Sequence, residues 1–292
     1  MENTRYDYSP LIKRKPFKLP NQAKVALWVV VNIEYFDIGA TSFMGVNVVT
    51  EQLPNVWAYA LRDYEHRVGI WRVMEVLDKH NIQASVSLNS DVCHHYPIII
   101  EEGKKRGWEF MGHGTSNAIL LVGKSETEER QIITTCLDVI TRAVGQRPKG
   151  WVSPGVRETF NTPDILASEG IEYLCDWCSD DQPYPMKVKS GRLISIPYAS
   201  ELNDFPAFSL SQLTPRQFYE MITDHFDVLY QDSSDQAFVM CIGLHPFLIG
   251  QPHRLRWLDK ALDYIRGHKG VWFARGCDIA SWYYENYVDK KR

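Results

Sequence analysis

Along the chain, short apolar runs alternate with segments of helical periodicity. The longest apolar run, residues 25–33, lies inside KVALWVVVNIEYFD. It is too short to span a bilayer and too rich in β-branched residues for a comfortable helix. It reads as a first strand buried on both faces, as in parallel sheets. Glu34 follows directly, where α/β enzymes place their chemistry; a solvated loop acid is the plainer reading. Residues 38–64 show no clear period and predict a functional loop carrying Phe43, Met44, Asn47, Trp57 and Tyr59, read as a lid or a subunit contact.

Residues 68–80 set Ile70, Val73, Met74 and Leu77 on one helical face. Residues 83–88 predict a second strand ending at Asn89, after which Asp91 caps a helix to about Arg106. Residues 108–111 predict a third strand that runs into GHGTSN. Ser125 and Glu128 form a capping box for the next helix. A fourth strand is expected over 148–152, followed by SPGVR, and a helix opening at Thr162-Pro163. Strands over 171–175 and 193–196 follow, then a helix from Thr214-Pro215 with Gln217 as its reciprocal cap. The run 237–244 is a buried strand ending at His245; a helix striped by Leu255, Leu258, Leu262 and Ile265, a strand over 271–274 and a helix over 278–287 complete the chain. Seven or eight βα units without a dividing linker predict one α/β domain: a distorted (β/α) barrel over 24–292, preceded by an arm over 1–23. An open doubly wound sheet is the alternative, but the first strand carries no glycine-rich phosphate turn.

Composition narrows the function classes. A net charge of −4 without blocks of like charge gives no reason to expect nucleic acid or an anionic membrane as partner. The polar, proline-punctuated N-terminus lacks an apolar signal core, so a cytoplasmic protein is expected. The six cysteines fall mostly in apolar patterns and read as reduced core residues; the Cys175–Cys178 pair closes a strand rather than opening a helix, unlike a thioredoxin-type motif.

The residues that follow the strands are Glu34, Asn89, His113, Ser153, Gly155 with Arg157, Asp176 with Trp177, and His245. In a barrel these points converge on one mouth, where two histidines and two carboxylates make an acid–base site.

With NIEYFD, GHGTSN, CDWCSDDQPYP, GLHPFLIGQPHRLRWLDKALDYI and FARGCDIASW, residues 20–287 resemble the polysaccharide deacetylase superfamily, the NodB or carbohydrate esterase 4 group. The pattern is most similar to its metal-independent branch, which includes allantoinases and cyclic imide hydrolases. The resemblance implies a NodB-type distorted barrel and a hydrolase acting on C–N bonds of small cyclic amides. Cyclic imides come first, with allantoin and an amino-sugar deacetylase as alternatives. Position by position it implies Glu34 as base and Tyr35 in place of the metal carboxylate. His113 is retained, Asn117 replaces the second metal imidazole, and Val152-Ser153-Pro154 has lost the arginine of that motif, with Arg157 nearby.

One histidine beside a phenol and an amide is a poor zinc set, so no cofactor is expected; the alternative is a single zinc at His113, with Asp37 or another acid moving in. The expected roles are Glu34 as water-activating base, His245 as acid to the leaving nitrogen and Asp176 as the carboxylate that orients a histidine. Tyr35, His113, Asn117, Ser153, Gly155, Arg157, Asn89 and Trp177 are expected to bind substrate. Relatives of this branch imply a homo-oligomer, with a tetramer favoured. A barrel that has lost its metal and serves only as a binding or scaffold protein is the reading from another class.

Overall fold

The computed structural model describes residues 2–39 and 54–291. Phe43, Met44 and Asn47 of the expected lid lie outside the described residues.

The first strand, β1 (Val25–Ile33), is buried along its whole length and organises the sheet. On one edge it pairs in parallel with β8 (Phe238–Leu244). Its other edge is shared: Val30 to Ile33 pair with β2 (Ser85–Leu88), while Val25 to Leu27 pair with β9 (Val271–Phe273). Beyond β2 the sheet continues through β3 (Glu109–Gly112), β4 (Gly150–Trp151), β5 (Tyr173–Leu174), β7 (Leu193–Ser195) and β6 (Tyr184–Met186), all parallel except the β6–β7 pair. The order β6-β7-β5-β4-β3-β2-β1-β8, with β9 at the base of β1, is a curled sheet closed only loosely. The opening beside β8 is spanned by chain rather than by a strand: the Gly243 N–H donates to Leu202 C=O and the Val239 N–H to Asp181 C=O. The expected distorted (β/α) barrel is therefore observed.

Its helices are α1 (Val56–Tyr64), continued by a π-helical turn (Glu65–Gly69) into α2 (Ile70–Lys79), then α3 (Val92–His95), α4 (Pro97–Lys105), α5 (Glu126–Val144), α6 (Thr162–Ser168), α7 (Pro215–Asp232), α8 (Pro246–Ile249), α9 (Pro252–Arg266) and α10 (Gly276–Tyr283). Both predicted capping boxes form, Ser125–Glu128 on α5 and Thr214–Gln217 on α7. No helix among the described residues is long and apolar enough to cross a membrane. The arm packs on the barrel. Phe17 and Leu19 are buried, Arg5 pairs with Asp164, and Arg14 Nη1 donates to Asp180 Oδ1 at 2.7 Å.

Several local expectations need correction. Residues 56–64 of the supposed loop are helix α1, opened by the Asn55 side chain accepting the Ala58 N–H. The helix expected from Asp91 to Arg106 breaks at Tyr96, because Pro97 lacks an N–H and starts a new helix; Asp91 makes no side-chain cap. Helix α6 has Asn161 at its N-cap position with no side-chain cap bond, and the Thr162 hydroxyl is taken by buried Glu129. Strand β6 lacks the apolar run that would have announced it and runs antiparallel at the sheet edge.

Candidate active site

β1 delivers Glu34 to the mouth of the barrel, and hydrogen bonds from neighbouring strand ends hold it there. The Tyr35 N–H donates to Asn89 Oδ1 at 2.9 Å, and the Asn117 N–H to Tyr35 C=O at 3.2 Å. Asn89 Nδ2 donates in turn to His113 C=O. Asn89 thus staples the ends of β1, β2 and β3 together. Both ends of its buried amide serve the backbone.

The Glu34 carboxylate is buried among three basic side chains. Oε1 lies 3.5 Å from His245 Nε2 and 3.7 Å from His113 Nε2, and Oε2 lies 3.4 Å from Arg62 Nη1. Burial alone would favour the neutral acid, but the two imidazoles and the Arg62 charge outweigh it and hold the carboxyl below its usual range.

His245 follows β8, and its partner comes from a segment that the strand pattern did not single out. Asp204, wholly buried, accepts the His245 backbone N–H at 2.8 Å and its Nδ1 at 2.7 Å. Burial opposes a charged imidazole, but Asp204 and Glu34 prevail and push His245 up to about 10. His245 therefore carries a proton on Nε2 facing Glu34. The role of orienting carboxylate, expected of Asp176, belongs to Asp204. Asp204 is two residues past Leu202, within the chain that closes the barrel beside β8, and no local sequence signal links it to position 245.

His113 follows β3 at Gly112. Its Nδ1 lies 2.7 Å from Val152 C=O, which can only accept, so Nδ1 carries a proton. Nε2 has no hydrogen-bond partner among the described residues and faces Glu34. Asn117 Oδ1 is likewise a buried acceptor with no donor among the described residues. The Tyr35 ring stacks on His95 at 4.4 Å and 10°.

The helix entering the mouth supplies residues that sequence reading missed. Arg62 of α1 is buried, with its guanidinium 3.2 Å from the Phe36 ring centroid and 5.5 Å from that of Phe247. The arginine at Glu34 is Arg62; Arg157 is exposed. The π-helical turn that follows brings Glu65 inward, where Oε1 accepts the Glu34 N–H at 2.8 Å. His66 stacks face to face on Tyr96 at 4.0 Å, and burial pushes it down to about 4, leaving it neutral. π-turns gather at functional sites because the extra residue redirects side chains.

The remaining candidates form a wall beside the mouth. Asp176 Oδ1 accepts the Ser153 N–H at 2.8 Å, and the Ser153 hydroxyl accepts from Trp151 Nε1 at 3.0 Å. Asp176 neighbours Glu158. Burial and the second carboxyl raise Glu158, and burial also raises Asp176. Trp177 Nε1 donates to Glu158 Oε1 at 2.8 Å and its ring meets Tyr6 of the arm edge-on. Asp176 Oδ2 remains a buried acceptor with no hydrogen-bond partner among the described residues. Gly155, exposed, sits at φ +64° in the turn after β4, a left-handed conformation that suits glycine.

Among the described residues no three His, Cys, Asp or Glu side chains are arranged to hold a metal ion. Neither side chain expected to complete a zinc set joins His113: Tyr35 lies on His95, and Asp37 is exposed and accepts the Gly39 N–H. The described residues therefore do not fit the three-ligand set of a catalytic zinc. All six cysteines are free thiols, and burial raises Cys175 above the usual thiol value.

The chain is similar to known proteins over most of its length. A family model described as polysaccharide deacetylase matches residues 58–174. A putative polysaccharide deacetylase of Schizosaccharomyces pombe is 28% identical over 297 residues, covering 89% of this chain and 90% of that protein. The crystal structure of PuuE allantoinase superposes with a TM-score of 0.87 at 28% identity, covering 96% of this chain and 99% of that one. A probable polysaccharide deacetylase from Pseudomonas aeruginosa PAO1 gives 0.84 at 28% identity, covering 92% and 94%.

Proposed function

We propose that this chain, whose family match, curated relative and structural neighbours support a place in the polysaccharide deacetylase family, is a hydrolase that opens a C–N bond of small cyclic amides. In this proposal Glu34 activates the water and no metal takes part. The observation that carries the reading is the buried trio Glu34, His113 and His245, in which one imidazole is loaded with a proton and the carboxylate is not.

The steps follow from which atoms can give and take. A water held between Glu34 Oε1 and the unpartnered His113 Nε2 has its hydrogens directed at two acceptors and a lone pair left for attack. As its oxygen bonds to the ring carbonyl carbon, Glu34 takes one proton and the carbonyl oxygen becomes negative. The positive edge formed by Arg62 and protonated His245 offsets that charge. When the C–N bond breaks, His245 Nε2 gives its proton to the leaving nitrogen. Glu34 then returns its proton to His245 across their 3.5 Å contact, restoring both groups. Asn117 Oδ1 is suited to accept a ring N–H. Without a metal to polarise the carbonyl, the substrate must bring its own electron-poor carbonyl, which cyclic imides and ureides do and a simple acetamido sugar does not.

Imides are the leading substrate class. The likeness to PuuE allantoinase favours allantoin as the second reading. The test is a panel of succinimide, dihydrouracil, hydantoin, allantoin and an N-acetylated chito-oligosaccharide, run with and without chelator on protein whose metal content is measured. Ring opening that chelator leaves unchanged is expected. Turnover of the acetylated sugar alone, abolished by chelator and restored by zinc, would overturn the proposal.

A further inference from the structure

Glu34 is not the only acid at this mouth. Glu65 is 1% exposed and reaches the site from the π-helical turn. Its Oε1 accepts the Glu34 amide N–H at 2.8 Å and lies 3.6 Å from His66 Nε2. The charged and titratable groups around it are Glu34 at the end of β1, Arg62 on α1, His66 on its own turn and His245 at the entry to α8.

Two observations beyond its position bear on its state. The first is charge balance. Among the described residues Arg62 and His245 lie against the Glu34 carboxylate, whereas the only basic side chain within 4 Å of the Glu65 carboxyl is His66, which burial keeps neutral. An ionised Glu65 would be a buried negative charge with no close cation among those residues, which is costly in a low-dielectric interior. Burial, followed by the Glu34 charge, raises its carboxyl well above the usual range. The second is mechanical. The turn that carries Glu65 ends at Gly69, which packs so closely on Pro246 that a Cβ there would come within 2.1 Å of its carbonyl oxygen. One turn therefore grips the backbone of residue 34 and the chain next to His245.

We propose that Glu65 is a positioning residue for the base: as a neutral carboxylic acid it fixes the Glu34 backbone through the amide N–H, and it leaves Arg62 and His245 to the Glu34 carboxylate. The inference rests on the reading of Glu34 as base. A neutral acid and an amide present the same carbonyl acceptor, so charge and geometry can be separated by substitution.

The test compares the wild type with Glu65→Gln and Glu65→Ala. Infrared spectroscopy in heavy water at neutral pH reads the carbonyl band of protonated carboxyl groups, with Glu158→Gln assigning the contribution of the Glu158–Asp176 pair. A protonated-acid band lost specifically in Glu65→Gln is expected. In kinetics, Glu65→Gln should stay within about threefold of wild type with both limbs of its pH profile in place. Glu65→Ala should lower kcat by about 10- to 100-fold with little change in KM, the scale of a misplaced reacting group. A protonated-acid band left undiminished by Glu65→Gln overturns the proposal, as does a shift of its pH profile by about one unit or more. If the wild type opens no cyclic amide, the functional reading fails; the infrared result still decides the state of Glu65, because it needs no substrate. If Glu65→Ala does not fold, Glu65→Gln and the infrared band decide alone.

Discussion

The Nε2 of His245 lies 3.5 Å from Glu34 Oε1, and its Nδ1 lies 2.7 Å from Asp204. One imidazole thus stands between two buried carboxylates, Asp204 at Nδ1 and Glu34 beyond Nε2. The arrangement separates an acid from a base within one small volume, which hydrolysis of a C–N bond requires.

Glu34→Gln keeps the shape of the base and removes its proton affinity. Turnover on the best cyclic amide should fall by about 10²- to 10⁴-fold, the usual range for a lost general base. The far-UV circular dichroism should match wild type. Near-normal turnover in this variant would show that residue 34 is not the base.

Asp204→Asn tests the partner of His245. The acid form of His245 is required, so activity should decline as pH rises through about 10 in the wild type. Removing the Asp204 charge lets the imidazole fall back toward its ordinary 6.5, and the alkaline limb of kcat/KM should move down accordingly. Stability follows the same sign. The contribution of protonated His245 is complete below 6.5 and is lost as pH climbs to about 10. Glu34 works in the other direction: its lowered carboxyl contributes above 4.5, and that contribution fades as pH falls. Urea titrations across these pH ranges should show the alkaline loss in wild type and a smaller one in Asp204→Asn.

Arg62 and Arg157 make a matched pair of tests. Arg62→Ala strips a buried partner from Glu34 and should cost about 3–5 kcal/mol of stability, together with most of the activity. Arg157→Ala removes an exposed side chain and should change stability by about 0.5 kcal/mol or less. Thermal melts and initial rates measured side by side would expose any reversal of that order.

Gly69→Ala places a methyl group against the Pro246 carbonyl, where no side chain can yield. Relief requires moving α8 or the π-turn, at a cost of about 1–3 kcal/mol. Because α8 begins one residue after His245, kcat should drop as well. A variant with unchanged melting temperature and unchanged kcat would show that the turn does not brace the site.

Much of the architecture was determined by the sequence alone, because it follows from local patterns. The buried run of β1, the strand ends at Glu34, His113 and His245, and the capping boxes of α5 and α7 are legible in short windows of residues. Tertiary structure alone decided which acid serves which histidine. Asp176 has the position after a strand that suggested the role, yet it is turned toward Ser153 and Glu158. Asp204, unremarkable in sequence, is the residue that reaches His245 across the loosely closed side of the barrel. The same holds for Arg62 and Glu65, which a helical pattern marks only as polar positions. Hydrophobic periodicity reports which face is buried; it does not report which buried polar groups meet, because those pairs form between segments far apart in the chain and are selected by the cost of leaving a charge unpaired in the interior.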